Sequence, residues 1–372
     1  NILMETKIML KTLKLAAAAL LILAPLAAAE TSLTGAGATF PYPIYSKWFD
    51  EYHKIKPDLQ INYQSIGSGG GIRQITERTV DFGATDGPMT DKMMFKIDGK
   101  LLHIPTVLGA DVPVFNVKGV ETLNLSGPAL AGIFLGTINR WNDPVIAQDN
   151  PEVSLPDARI TVVHRSDGSG TTYIWTDYLS KVSPEWLKKA GRGTAVNWPT
   201  GLGGKGNEGV SSLVKQTPNS IGYVELIYAK QNDIDYAVVK NAAGKWLKAD
   251  IAGVTAAAAG AKMPADYRVS ITDAPGEKSY PIASYTWLLI YQKNAGGKGA
   301  ELKDFWADAK DVSDSFRETK PVRRDDRQEL WESFQDLCQR ARDLQEQKQE
   351  EWRGRMAEHL DRWHSLIDKN ED

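Results

Sequence analysis

Four short turns carry small residues, hydroxyls and a few charges in a pattern that suits an oxyanion. Gly35-Ala-Gly-Ala-Thr-Phe40-Pro41 leads into an apolar stretch and offers the Thr39 hydroxyl. Gly67-Ser68-Gly69-Gly70-Gly71 precedes Ile72-Arg-Gln-Ile75, which places Ser68 as a helix N-cap. Asp81-Phe-Gly-Ala-Thr-Asp86-Gly87-Pro88 is a polar turn with an acid at its tip. Arg165-Ser-Asp167-Gly168-Ser169-Gly170-Thr171-Thr172 follows one apolar run and opens another. Small residues let backbone approach a ligand closely, and helix starts present unpaired N–H groups with partial positive charge.

The hydroxyls of Thr39, Ser68, Ser169 and Thr171 add neutral donors. Arg165 adds a planar cation suited to phosphate-type oxygens, and Asp167, two residues on, is placed to hold its fork. Asp86 is the odd member, because a carboxylate repels an anion. It fits an anion that still carries a proton to donate. Hydrogen phosphate does, and sulfate at neutral pH does not, so an acid here selects against sulfate. Taken singly, each turn is equally explained by capping and tight chain reversal, and Asp86 by a turn cap before Gly-Pro. None has the P-loop pattern, and Gly201-Leu-Gly-Gly-Lys-Gly206 also lacks its spacing.

The elements that must position these turns alternate between strand and helix. Leu59–Tyr63, 104–108, 160–163, 221–224 and 284–291 have strand character. Residues 43–53 carry Ile44, Trp48, Phe49 and Tyr52 at helical spacing, and 171–181, 207–216 and 300–309 are further helix candidates. The alternation predicts an α/β fold with mostly parallel sheets. Ligands in such folds collect beyond the carboxyl ends of the strands, where the four turns lie.

The chain has 372 residues, enough for two domains, and a formal net charge of −3, which gives no electrostatic case for nucleic-acid binding. Lys7, Lys11 and Lys14 precede an apolar run from Leu15 to Leu26 and then Ala27-Ala28-Ala29. That order predicts a secretory signal over 1–29, cut after Ala29, since the apolar run is short of the ~20 residues a membrane span needs. Residues 312–372 differ in character: 28 of 61 positions are charged, and Arg replaces Lys as the main cation. Leu330, Phe334, Leu337, Ala341 and Leu344 form a heptad seam there. The segment fits a helical tail with a helix–helix partner or self-association, a helix packed on the first domain, or a foreign segment joined to the rest. The change of cation favours the last. The single Cys, Cys338, lies in this tail, so a multi-cysteine zinc site is excluded.

Leu33-Thr-Gly-Ala-Gly-Ala-Thr-Phe-Pro41, Tyr63-Gln-Ser-Ile-Gly-Ser-Gly-Gly-Gly71, Val80-Asp-Phe-Gly-Ala-Thr-Asp86, Arg165-Ser-Asp-Gly-Ser-Gly-Thr171, Trp198-Pro-Thr-Gly-Leu-Gly-Gly-Lys-Gly-Asn207 and Ile221-Gly-Tyr-Val-Glu225 occur in this order. Together they resemble the periplasmic phosphate-binding protein of the high-affinity phosphate ABC transporter, over about residues 30–310; the tail 312–372 does not match. The resemblance implies a two-lobed type II periplasmic-binding-protein fold closing about a hinge. Lobe 1 would comprise 30–110 and 280–311, and lobe 2 would comprise 111–279. It implies phosphate held by Thr39, Phe40, Ser68, Asp86, Arg165, Asp167, Ser169, Gly170 and Thr171, with Asp86 as proton acceptor. It implies no cofactor, no metal and no catalysis, with delivery to a membrane permease. Two rival functions remain at this stage: a phosphatase or phosphoryl transferase using the same cradle, and a helical interaction protein acting through 312–372. Enzymatic phosphoryl chemistry needs a metal or a poised nucleophile, and the five His residues show no metal-ligand spacing.

Overall fold

The computed structural model describes residues 31–293. The expectations for the export signal 1–29, the helix at 300–309, Cys338 and the tail 312–372 with its helix–helix surface lie outside these residues. β1 (Thr31–Gly37) is followed by α1 (Tyr42–Ile55), β2 (Leu59–Ser65), α2 (Ser68–Thr76), β3 (Phe82–Thr85), α3 (Asp91–Met94) and the long strand β4 (Leu101–Asn116). Next come β5 (Asn124–Leu125), α4 (Gly127–Leu135), α5 (Pro144–Asp149), β6 (Thr161–Arg165), α6 (Gly170–Val182), α7 (Pro184–Lys189), β7 (Leu202–Gly204), α8 (Gly206–Gln216) and β8 (Ser220–Glu225). The described chain closes with α9 (Leu226–Gln231), β9 (Val238–Lys240), β10 (Trp246–Leu247), α10 (Ile251–Ala259) and β11 (Ala283–Tyr291).

Eight strands form one sheet in the order β2-β1-β3-β11-β4-β8-β6-β7, and β10-β9-β5 form a small second sheet. The expected parallel arrangement holds at the two ends only. The pairs β1–β2, β1–β3, β6–β8 and β6–β7 are parallel, while β3–β11, β11–β4 and β4–β8 are antiparallel. Helical crossovers produce parallel neighbours within each end. Strands β4 and β11 instead lie as an antiparallel pair between the two ends. β4 pairs with β11 from Leu101 to Ala110, then with β8 from Asp111 to Asn116. One strand therefore belongs to two successive pairings, and Asp111 N–H donates to Ile282 O at 2.9 Å where they meet.

β11 is buried along its whole length. Leu288 and Ile290 pack on the α1 side with Tyr45, Phe49 and Phe82. Leu289 and Tyr291 pack on the α2 side with Ile72 and Ile75. The alternation is the period of a strand covered on both faces. α1 turns Tyr45, Phe49 and Tyr52 inward and leaves Ile44 exposed. The stripe is thus one residue out from the Ile44 expectation, because Tyr45 packs edge-on against Tyr63 of β2.

The largest core continues from Phe40 through β4, α4, α6 and β8 to Trp287. Tyr223 of β8 lies at its centre, stacked on Trp175 with ring centroids 5.0 Å apart. Its hydroxyl accepts from Arg165 N–H at 3.2 Å and meets Thr172 Oγ1 at 2.7 Å. One side chain thus ties β6 to the first turn of α6. Tyr223→Phe keeps the ring and strands two buried polar groups. It is expected to lower unfolding free energy by about 1–3 kcal/mol in chemical denaturation; a change near zero would mean that this hydroxyl does not hold the two elements together.

Candidate functional site

Each of the four turns ends beside the others. After β1, the turn into α1 buries Thr39 and Phe40. Thr39 Oγ1 accepts from Asn207 Nδ2 at 2.7 Å, and its carbonyl accepts from Tyr228 O–H at 2.6 Å. After β2, Gly67 and not Ser68 occupies the N-cap position of α2, at φ +85°. That conformation suits glycine. Ser68 becomes the first helical residue, which corrects the N-cap expectation, and its hydroxyl is turned to Asp86. It accepts from Asp86 N–H at 3.2 Å and lies 3.5 Å from Oδ2.

Asp86 follows β3 and is 1% exposed. Thr286 of β11 donates to its Oδ1 at 2.6 Å. At the end of β6, Arg165 is 3% exposed. Its Nε and Nη2 donate to the two oxygens of Asp167 at 2.8 and 2.6 Å, and Nη1 reaches Thr171 Oγ1 at 3.2 Å. Asp167 Oδ1 also accepts from Gly206 N–H at 3.0 Å. Ser169 is the N-cap of α6 and accepts from Thr172 N–H at 3.0 Å. The first N–H groups of α6, at Gly170 and Thr171, have no carbonyl of their own helix to bond.

The first and second halves of the chain meet here. Gly69 N–H donates to Gly168 O at 2.8 Å. A Cβ on Gly170 would run into Ser68 Oγ and Asp86 Oδ2, so the α6 start faces Ser68 and Asp86 directly. All nine residues singled out in the sequence are thus gathered into one cluster.

Further members escaped the sequence reading. Asn207 donates to Thr39 and, at 3.3 Å, to Thr171 Oγ1, while its Oδ1 accepts from Glu225 N–H at 3.0 Å. Thr286, Tyr223 and Tyr228 support the site from β11, β8 and α9. Asn207 ends the Trp198–Asn207 segment at the start of α8, and that was its only local signal. His164, beside Arg165, stacks on Trp198 at 4.8 Å and bonds the Arg165 carbonyl through Nδ1, so it serves packing.

Burial dominates the electrostatics. It pushes the Asp86 carboxyl up to about 7, against the opposing pull of Thr286, Arg165 and Ser68. It pushes Glu225 up to about 8, against the Ile227 N–H bond. Burial also works against the charges of Arg165 and Asp167, but their mutual bonds hold Arg165 above and Asp167 below the usual values. The pair is close to neutral as a unit. What remains is a buried, donor-rich cluster in which burial holds the Asp86 carboxyl far above the usual carboxylate range.

These features define a solute-binding protein: two α/β lobes joined through shared strands, with a buried polar site between them. The PBP superfamily domain matches residues 24–307. The phosphate-binding protein PstS of Pasteurella multocida is 48% identical over 265 residues, covering 70% of this chain and 76% of the relative. PstS of Xylella fastidiosa strain Temecula1 is 47% identical over 282 residues, covering 74% and 77%. The chain belongs to the family of the phosphate-binding proteins PstS, within the PBP superfamily. Two solved structures share its fold. A putative phosphate ABC transporter substrate-binding protein with bound phosphate from Clostridium perfringens aligns with a TM-score of 0.54 at 19% identity, covering 74% of this chain and 92% of that one. A phosphate-binding protein from Stenotrophomonas maltophilia aligns with a TM-score of 0.55 at 22% identity, covering 74% and 83%.

The raised position of Asp86 has a consequence for stability. The folded protein binds this proton more tightly than the unfolded chain, whose carboxyl sits near 3.8. Its contribution is therefore fully present below about pH 4 and is lost as pH rises through about 7. In ligand-free protein, Asp86→Asn removes this loss. The stability of the variant relative to the native protein is expected to rise by about 1–4 kcal/mol between about pH 4 and pH 8. Parallel pH profiles of the two proteins in denaturant titrations would contradict the buried placement of Asp86.

Proposed function

We propose that the chain binds one inorganic phosphate between its lobes and delivers it to the membrane permease of a phosphate ABC transporter. It does so as a periplasmic protein exported through the signal at 1–29. Lobe 1 comprises 30–110 and 280–311, and lobe 2 comprises 111–279. The hinge lies where β4 changes partner at Ala110–Asp111 and where the chain returns at Ile282–Ala283. The relatives' names support the ligand.

One observation carries the assignment to this site: the Asp86 carboxyl stands among donors and faces the start of α6. Arg165 Nη1, the α6 N–H groups of Gly170 and Thr171, the hydroxyls of Thr39, Ser68, Ser169 and Thr171, and the backbone of the Thr39-Phe40 turn supply donors to phosphate oxygens. Asp167 holds the Arg165 fork. Asp86 accepts the proton that hydrogen phosphate carries. Donors from both lobes make the closed form the binding form, and phosphate leaves when the lobes reopen at the permease. These groups balance a ground-state dianion, which is what a binder requires, and the relatives are named as binding proteins.

Two variants test the roles. Asp86→Asn removes the acceptor but keeps the shape, so the preference for phosphate over sulfate is expected to fall by at least about tenfold in calorimetric titrations. Unchanged discrimination would remove Asp86 from the site. Arg165→Ala takes away a buried charge-assisted donor and leaves Asp167 unpaired. Phosphate affinity is expected to fall by about 30-fold or more, and native-like affinity would show that the guanidinium faces no ligand.

A further inference from the structure

Asp111 is a buried acid that the phosphate site leaves unused. It is 0% exposed, and neither of its carboxylate oxygens has a hydrogen-bond partner among the described residues. A carboxylate held that way is strongly disfavoured in its ionised form and is relieved by carrying its proton. It sits where β4 changes partner, with Asp111 opposite Glu225 in the antiparallel register of β4 and β8. Residues directly opposed in such a pair share one face of the sheet. Two positions earlier on that face, Gly109 lies against the Phe40 ring and Glu225 Oε1, so the face looks onto the first turn of the site.

The charged and titratable groups around Asp111 come from several elements. Asp86 at the end of β3, Glu225 on β8 and Arg165 at the end of β6 all act on it. Tyr223 on β8 and Tyr280, in the segment before β11, are coupled to it as well. Tyr280 O–H donates to the Asp111 carbonyl at 3.0 Å, which leaves the carboxyl unserved. Arg165 is the one cation among these groups, and Asp167 already forks it. Three carboxyls therefore act on one another, and the guanidinium that offsets them is already forked by Asp167. If Asp86 is to be ionised against phosphate, the others cannot all be.

We propose that Asp111 is a positioning acid that takes up a proton as the lobes close, leaving Asp86 ionised to face the ligand, so that phosphate capture is linked to proton uptake. This proposal rests on the phosphate assignment above. Closing brings the Asp86 charge from lobe 1 toward Asp111 and strips solvent from it, and both effects favour the neutral acid. Burial followed by the charges of Asp86 and Glu225 raises Asp111 well above the usual carboxylate range. Uptake of a proton on binding makes binding weaker as pH rises. Asp86 acts in the opposite sense, since any proton it holds in the free protein is released when phosphate binds. Glu225 Oε2 accepts from Ile227 N–H at 2.6 Å as the cap of α9, and that bond lies wholly within lobe 2.

The test is calorimetric titration of inorganic phosphate into native and Asp111→Asn protein from about pH 6 to pH 9, each in two buffers of different ionisation enthalpy. Native protein is expected to take up more protons per phosphate than the variant, by roughly half a proton or more near pH 8. The affinity ratio of variant to native should then grow with pH, by up to about tenfold per unit. If Asn at this position fails to fold, Asp111→Val, an apolar replacement of similar width, is expected to give the same shift. A purely structural role for Asp111 would move the melting temperature and leave the proton count alone. Equal counts in native and variant proteins across the range overturn the proposal while leaving the phosphate site standing. No phosphate binding by the native protein overturns both.

Discussion

The ion pair of buried Arg165 with partly buried Asp167 is the constraint on which the site depends. A guanidinium with 3% exposure is tolerable only with a partner that neutralises it and takes its N–H groups. Asp167 does both, and a third bond from Gly206 N–H ties the pair to the start of α8. The fork fixes the direction of Nη1, which is left for Thr171 and the space beyond it. The pair also shapes the opposite lobe. A Cβ at Gly67 would strike Asp167 Oδ2, so only glycine allows the α2 start to approach this closely. With Gly67 as the cap, Ser68 is released to face Asp86.

The pair is near neutral, so the attraction for an anion comes from oriented dipoles, hydroxyls and one directed N–H group. In the proposed binding mode, selectivity falls to the acid. Burial holds Asp86 near the point where it ionises, and Thr286, Ser68 and Arg165 favour the ionised form. In that mode a proton-bearing ligand would satisfy it, whereas a fully ionised one would meet repulsion in a buried site where charge is poorly screened. The scaffold supports this with β4, which pairs with β11 and then with β8, and the Asp111 N–H to Ile282 O bond lies where these pairings meet. Side chains that serve the site hang from β11, β8 and α9.

Much of this was legible in the sequence. The strands at 59–65, 161–165, 220–225 and 283–291 were visible as short apolar or alternating runs, because burial on one or both faces leaves that trace. The four turns were visible because close backbone approach demands small residues. β4 was seen only from 104 to 108. Pro105 and Pro113 interrupt its pattern, yet Pro105 pairs at a bulge opposite β11 and Pro113 is accommodated against Tyr223 of β8. Asn207 and Thr286 were not legible, since they meet Thr39 and Asp86 from 168 and 200 residues away. Asp111 left a faint sign as a lone acid in an apolar strand. Its meaning depends on Glu225, whose place opposite it is set by strand register.

The central claim is that Asp86 and Arg165 face the same bound phosphate from the two lobes. A crystal structure of the protein with phosphate, at a resolution that separates individual oxygens, tests this most directly. The account predicts one phosphate oxygen within hydrogen-bond distance of the Asp86 carboxylate, another on Arg165 Nη1, and a third on the N–H groups of Gly170 and Thr171. Phosphate seated elsewhere, or seated here with no oxygen close to Asp86, would contradict it.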